Sequence, residues 1–87
     1  MKEYEITAYA DLWIEAKDEE EAIRISPDCG AWHITDLTPE EMDEDEGMIR
    51  LCASIHCIVK AKSKDDAWLI LPNCGEWEID QVEINKY

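Results

Sequence analysis

The segment Pro27-Asp28-Cys29-Gly30-Ala31-Trp32 returns 45 residues later as Pro72-Asn73-Cys74-Gly75-Glu76-Trp77. The match extends in both directions without a gap and pairs Ile6 with Leu51, Lys17 with Lys62, Ala22 with Ala67, Ile34 with Ile79 and Leu37 with Val82. Self-similarity at a fixed period indicates an internal duplication. We therefore predict two copies of one strand–helix–strand unit of about 40 residues.

Each unit opens with a long stretch in which apolar and polar residues alternate, as in a half-buried strand. The apolar positions of the first stretch are Ile6, Ala8, Ala10, Leu12, Ile14 and Ala16. Those of the second are Leu51, Ala53, Ile55, Cys57, Val59 and Ala61. These two faces are predicted to form the core.

A short helix is predicted after each long strand. The pairs Asp18 with Glu21 and Ser63 with Asp66 have the N-cap and N3 spacing that satisfies free helix amides. We expect apolar contacts from the helices to the sheet at Ala22, Ile25, Ala67 and Ile70. Pro27 and Pro72 end the helices, and the following Cys-Gly supplies a permissive turn.

The second strand of each unit starts at Trp32 or Trp77, and its alternation then slips in phase, which a β-bulge explains. The order predicts one α+β domain over 1–87 with a ferredoxin-like βαββαβ arrangement. It has a four-stranded antiparallel sheet, the first and third strands central, and two short helices on one face. Repeat 1 covers about 4–37, an acidic connector 38–48, and repeat 2 about 49–82 plus a C-terminal strand extension.

Composition limits the classes of function. The chain has 87 residues and a net charge of −14, which repels nucleic acid and anionic lipid and attracts basic proteins. No apolar run approaches the roughly 20 residues of a membrane span, and the start lacks the pattern of a signal peptide. We therefore expect a cytoplasmic protein that binds neither membranes nor nucleic acid directly.

The charge is uneven along the chain. Residues 1–37, 38–48 and 49–87 carry net charges of −7, −6 and −1. Rows of carboxylates could imitate phosphates toward the basic surface of a nucleic-acid-binding protein. The candidate partner-binding residues are Asp18, Glu19, Glu20, Glu21, Glu40, Glu41, Asp43, Glu44, Asp45 and Glu46. The alternative is that these acids only solvate a loop and favour a helix N-terminus.

A second candidate surface is the sheet face without helices. Tyr9, Trp13, His56 and Ile58 are expected there, as an interaction surface, a ligand-binding face or a homodimer contact. The competing interpretation is that they are isolated exposed apolar residues without a role.

The cysteines and histidines do not form a recognisable site. Cys29 and Cys74 are equivalent, so the pseudo-two-fold axis of a ferredoxin-like fold is expected to hold their turns at opposite ends of the sheet. Cys52 and His56 start about 13 Å apart along one strand, too far for easy sharing of a zinc ion. We predict four free thiols, no metal within one chain and no cofactor, while a metal shared between two chains stays open.

Catalytic motifs are also missing from the pattern. His33 and His56 have no nucleophile at motif spacing, and 3 glycines cannot supply a phosphate-cradling loop. We predict no catalytic residues and no enzyme activity.

The stretches Ile14–Ala22 and Val59–Ala67 resemble the strand-end and helix-start pattern of small phage- and plasmid-borne proteins of the DpnD/PcfM-like type. Those proteins are mostly single units of unassigned function, so the resemblance covers each half separately and implies a mobile-element origin. In general character the chain is similar to acidic anti-CRISPR and anti-restriction inhibitors, several of which mimic nucleic acid. This likeness rests on charge alone. It implies an inhibitor of a nucleic-acid-binding host defence protein.

Overall fold

The computed structural model describes all residues 1–87, and its elements follow the order β-α-β-β-α-β. They are β1 (Lys2–Glu15), α1 (Glu19–Ile25), β2 (His33–Asp43), β3 (Met48–Ala61), α2 (Lys64–Leu69) and β4 (Glu78–Lys86). The strands form one antiparallel sheet in the order β2-β3-β1-β4. The predicted α+β class with two helices, and the central position of β1 and β3, are confirmed.

The core lies on one face of the two long central strands. Tyr4, Ile6, Ala8 and Ala10 of β1 are buried, as are alternate residues of β3 from Ile49 to Cys57, and no polar side chain is fully buried. Leu12, Ile14 and Val59 are half-buried and pack against this cluster. The predicted core face is confirmed because the two-residue side-chain period of the strands is unbroken.

The duplication is visible as a pseudo-two-fold axis. Residues of β1 pair with residues of β3 in an unbroken register in which Tyr9 lies opposite Ser54. These two residues are also 45 positions apart, so each is the duplicate of the other. The axis therefore passes through the Tyr9–Ser54 pair, at the centre of the sheet.

Both predicted helix caps are formed. The Asp18 carboxylate accepts a hydrogen bond from the Glu21 amide at 2.8 Å, and the Ser63 hydroxyl accepts one from the Asp66 amide at 3.2 Å. Ala22 and Ala67 are fully buried against the sheet.

Ile25 and Ile70, which were predicted to contact the sheet, are not buried in the core. Ile25 is 42% exposed and Ile70 is 49% exposed. The helices have seven and six residues, so Ile25 is the last residue of α1 and Ile70 already caps α2. One alanine per helix, Ala22 or Ala67, is therefore the only buried residue of that helix.

The prediction that Cys29 and Cys74 cannot meet is also wrong. A disulfide bond joins them, with their Cα atoms 4.6 Å apart. The two turns pack against each other: the Trp32 indole donates to the Pro72 carbonyl at 2.9 Å, and the Trp77 indole donates to the Pro27 carbonyl at 3.0 Å. We call this pair of segments, 27–32 and 72–77, the clasp.

The lengths of the elements explain the clasp. A seven-residue helix is about 10 Å long, whereas a 14-residue strand spans about 46 Å. Each helix therefore covers one end of the sheet and ends near its middle. The next strand begins there: β2 begins opposite His56, and β4 begins opposite Asp11. A helix as long as the strand would have kept the turns apart.

The predicted connector is mostly strand. Residues 38–43 continue β2, and a tight turn at 44–47 leads into β3. The predicted bulges are confirmed: the β2 register shifts between Ile34 and Asp36 and again between Pro39 and Glu41, and β4 shifts opposite Thr7 and Tyr9. The result is an elongated molecule of 48 × 17 × 16 Å between Cα atoms, and neither helix is long or apolar enough to cross a bilayer.

Candidate partner-binding surface

The face of the sheet opposite the helices, which we call the open face, is dominated by carboxylates. Paired residues of neighbouring strands share a face, so the register assigns each side chain. Ten acidic residues lie there: Glu3, Glu5, Asp11, Glu15, Asp36, Glu41, Asp43, Glu78, Asp80 and Glu83. The only lysine or arginine residues on this face are Arg50 and Lys60.

Both edge strands contribute a row of these acids. The open-face acids of β2 are Asp36, Glu41 and Asp43, and those of β4 are Glu78, Asp80 and Glu83. All six are exposed. Three strand spacings separate the two rows, a width of about 14 Å.

Arg50 organises the acids nearest the hairpin. Its guanidinium donates to Asp11 at 3.1 Å across β1 and to Glu41 at 3.1 Å across β2. The hydrogen bond to Asp11 is the main cause that raises the pKa of Arg50 above its ordinary value. The side chain is about one-third exposed, so solvent screens these pairs, and they orient the carboxylates more than they stabilise the fold.

The two acidic segments predicted from the sequence meet at one end of the sheet. The acidic hairpin, defined as residues 40–47, is tied to the end of β1 by a bond from the Ala16 amide to the Gly47 carbonyl at 3.1 Å. A depression of about 430 Å³ between the hairpin and the start of α1 is lined by Glu15, Lys17, Glu21 and Gly47. The start of α1 and the turn of the acidic hairpin therefore lie beside each other at this end of the sheet.

Several of the predicted acids have internal partners. Asp18 caps α1, and Glu21 accepts from the Lys17 amide at 3.1 Å and pairs with Arg24 at 3.6 Å. Within the hairpin, Glu40 accepts from Thr38, Glu41 from Arg50, and Asp43 from the Glu46 amide. Among the ten acids predicted from the sequence, those whose carboxylates have no hydrogen bond or ion pair are Glu19, Glu20, Glu44, Asp45 and Glu46, and these remain free for a partner.

The apolar candidates lie on the open face but do not form a patch. Tyr9 is 57% exposed, Trp13 43% and Ile58 47%. Tyr9 and Trp13 are about 13 Å apart along β1, with Asp11 between them. His56 lies beside His33, with ring centroids 5.2 Å apart.

Trp13 joins the two predicted surfaces. It lines a depression of about 460 Å³ together with five hairpin residues: Glu41, Met42, Asp43, Glu44 and Asp45. An exposed indole thus borders the densest group of carboxylates, which is a suitable surface for a cationic side chain.

The prediction of four free thiols is wrong, because the Cys29–Cys74 disulfide leaves only Cys52 and Cys57 free. Cys57 is buried, and burial raises the pKa of its thiol; burial likewise raises the pKa of Cys52, partly offset by the nearby Arg50 charge. A thiol with a raised pKa is a poor nucleophile at neutral pH. No three side chains of His, Cys, Asp or Glu converge as a metal-binding group.

Glu41 and Asp43 were predicted from the sequence, but the other eight open-face acids were missed, although the signal for several of them was present. Asp11 and Glu15 lie between predicted core residues of β1, and Glu3 and Glu5 continue the same alternation before Ile6. The alternation that identified the core face therefore also places these acids on the opposite face of β1. Asp36 and Asp80 lie beside bulges, so their face could not be read from the alternation.

No protein-family model, curated protein or solved structure matches this chain. The surface must therefore be interpreted from its own geometry and charge.

Proposed function

We propose that this protein is a small acidic inhibitor, not an enzyme, which occupies the basic nucleic-acid-binding surface of a host defence protein of the anti-CRISPR or anti-restriction target type. The observation that carries the proposal is the set of ten carboxylates on the open face, continuous with the acidic hairpin. The free acids of the hairpin and of α1 extend this surface.

The charge density supports mimicry of nucleic acid. Dividing the 48 Å length by the 14 net charges of the whole chain gives one negative charge per about 3.4 Å, which is also the axial charge spacing of one strand of B-DNA. Eight of these net charges lie on the open face, where ten carboxylates stand against Arg50 and Lys60. The separation of the two edge rows, about 14 Å, is similar to the roughly 12 Å width of the major groove.

The remaining parts of the proposal concern origin and class. We propose a mobile-element origin of the DpnD/PcfM-like type and action in the host cytosol. The cytosol keeps thiols reduced, so action there requires a fold that survives reduction of the Cys29–Cys74 disulfide.

We also propose that the fold is ferredoxin-like. Support comes from the βαββαβ order and from a sheet order that is β4-β1-β3-β2 when counted from the other edge.

The test is displacement of the partner by DNA. The tagged protein is incubated with lysate of the source cell, and bound proteins are eluted with duplex DNA or with salt. Capture of a nucleic-acid-binding protein that both eluents release is the expected result. The triple variant Asp43→Lys, Glu44→Lys and Asp45→Lys should lose this capture.

The matched control is Asp28→Lys, Asp65→Lys and Glu76→Lys, three exposed acids outside the open face. It changes the net charge by the same amount and should retain capture. Equal binding by both triple variants would rule out a role for the hairpin.

A dimeric scaffold or ligand-binding module is the alternative function. The exposed Tyr9 and a depression of about 330 Å³ around Thr7, Ser54 and His56 favour it. Binding through such a surface is little screened by salt, so a complex that survives high salt and is lost on Tyr9→Ala would support it over mimicry.

A further inference from the structure

The sheet has two unpaired strand edges. β4 pairs with β1 only from Tyr4 to Asp11, so β1 has no neighbour on that side beyond Asp11. On the other side of the sheet, β2 begins opposite His56, so the last part of β3 has no neighbour either. The pseudo-two-fold axis relates the two edges.

The direction of the free backbone groups follows from two hydrogen bonds. Ala16 donates to the carbonyl of Gly47, its partner in the β1–β3 register, so even-numbered residues of β1 bond toward β3. Tyr87 donates to the Glu3 carbonyl, so odd-numbered residues bond toward β4. In an antiparallel ladder this alternation continues along the strand. The amides and carbonyls of Trp13 and Glu15 therefore point outward, beyond the start of β4.

The duplicated edge has the same geometry but different chemistry. Residues 58 and 60 are the duplicates of 13 and 15, so Ile58 and Lys60 replace Trp13 and Glu15. Lys62 follows Lys60 at that end, whereas Asp11 and Glu78 border the β1 edge, and the acidic hairpin lies at the same end of the sheet, beyond β3. One edge is acidic and aromatic; the other is basic and aliphatic.

We propose that the free edge of β1, at Trp13 and Glu15, binds an extended, arginine- or lysine-rich segment of the partner as an added antiparallel strand. The main-chain groups of Trp13 and Glu15 hydrogen-bond the segment, which is the mode of strand addition. This inference rests on the proposed function and specifies how the acidic surface holds its partner.

Charge complementarity selects the basic occupant. A residue paired with Trp13 has its side chain on the open face, beside the indole, where a guanidinium can stack as a cation–π pair. The next residue on the same face, two positions along, is paired with Glu15 and can form an ion pair. An acidic segment is repelled at this edge, and a second copy of the chain brings a net charge of −14 with it.

The probe is an eight-residue capped peptide of alternating Arg and Val, titrated into the intact protein by calorimetry. Trp13 and Glu15 offer hydrogen-bonded positions of the ladder, and residues paired at such positions direct their amides and carbonyls at each other, so arginines that face them also direct their amides at them. N-methylation of the arginine amides should weaken binding about ten-fold or more, since it removes these hydrogen bonds. N-methylation of the valine amides, with the same composition, should leave binding unchanged.

Variants of the protein test the same main-chain hydrogen bonds by changing the β1 edge instead of the peptide. Glu15→Pro removes the outward amide and should weaken the peptide about ten-fold relative to Glu15→Gln, which loses the same charge and keeps the amide. Lys60→Pro at the duplicate edge should have no effect. Hydrogen exchange of the Trp13 and Glu15 amides should be fast in the free protein and slowed by the peptide.

Failure of strand addition and failure of the proposed inhibitor function give different results. Equal binding of both methylated peptides would overturn strand addition and leave charge mimicry intact. Failure of the unmodified protein to capture a partner that DNA releases would overturn the proposed function itself. Absence of binding by the unmodified peptide would overturn the strand-addition proposal. Concentration-dependent self-association that both Glu15→Pro and Lys60→Pro abolish would assign the edge to a second copy and overturn it as well.

Discussion

Gly30 is the residue at which the clasp is tightest. Its φ is +66°, and a Cβ built on it would overlap the backbone carbonyl oxygen of Asn73. Gly47, in the hairpin turn, has a φ of +68° and nothing within 4 Å of the same position. The two glycines therefore share the conformational requirement and differ only in their surroundings.

This pair gives a controlled prediction. Gly47→Ala should cost about 1 kcal/mol of unfolding free energy, the strain of a left-handed residue with a Cβ. Gly30→Ala should cost at least about 2 kcal/mol more, because the opposed backbone of the clasp must separate. Urea unfolding of both variants measures the difference. Equal losses would mean that the two turns are not in contact.

At the scale of elements, the clasp is the joint between the repeats. The disulfide closes a loop with a sequence separation of 45, for which chain entropy gives a stabilisation of about 4 kcal/mol. The reciprocal indole bonds of Trp32 and Trp77 contribute further, each about 1 kcal/mol. Two kinds of interaction therefore hold the joint.

Reduction should accordingly weaken the fold without removing it. We expect the free energy of unfolding to fall by about 2–4 kcal/mol in reductant, with the native circular dichroism spectrum retained. Alkylation in denaturant should modify two cysteines before reduction and four after it. The Cys52→Ser variant, which keeps the disulfide, should lose the same amount on reduction. Modification of four cysteines without reductant would contradict the bond.

The elements also show what the sequence could predict. Strand alternation and the caps at Asp18 and Ser63 are local signals, and they were sufficient for the element order, the core face and the helix starts. The meeting of Cys29 and Cys74 depends on the ratio of helix length to strand length, which sets where the chain returns to the sheet. The unpaired edge at Trp13 and Glu15 depends on where β4 begins. The helix ends at Pro27 and Pro72 and the strand starts at Trp32 and Trp77 were predicted, but where strands distant in sequence pair along the sheet is not a local signal, so neither the bond nor the free edge was predicted.

At the scale of the whole molecule, we expect the repulsion among the carboxylates to exceed the attraction from their few ion pairs. Five acids of α1 and the hairpin have no internal partner, and the open face carries ten carboxylates against two cations. Such a field opposes the compact state. The same unpaired charges are what the proposed partner requires, so stability and binding make opposite demands on them.

Salt should therefore stabilise this protein. Raising the salt concentration from about 10 mM to about 500 mM shortens the screening length from about 30 Å to below 8 Å, which weakens repulsion among carboxylates spread over the 48 Å sheet. We expect the urea midpoint to rise in NaCl. The rise should be smaller in a variant that neutralises the unpaired acids, Glu19→Gln, Glu20→Gln, Glu44→Gln, Asp45→Asn and Glu46→Gln. A midpoint that falls with salt would show instead that the pairs of Arg50 with Asp11 and Glu41 outweigh the repulsion, and that the acids are matched within the fold rather than held for a partner.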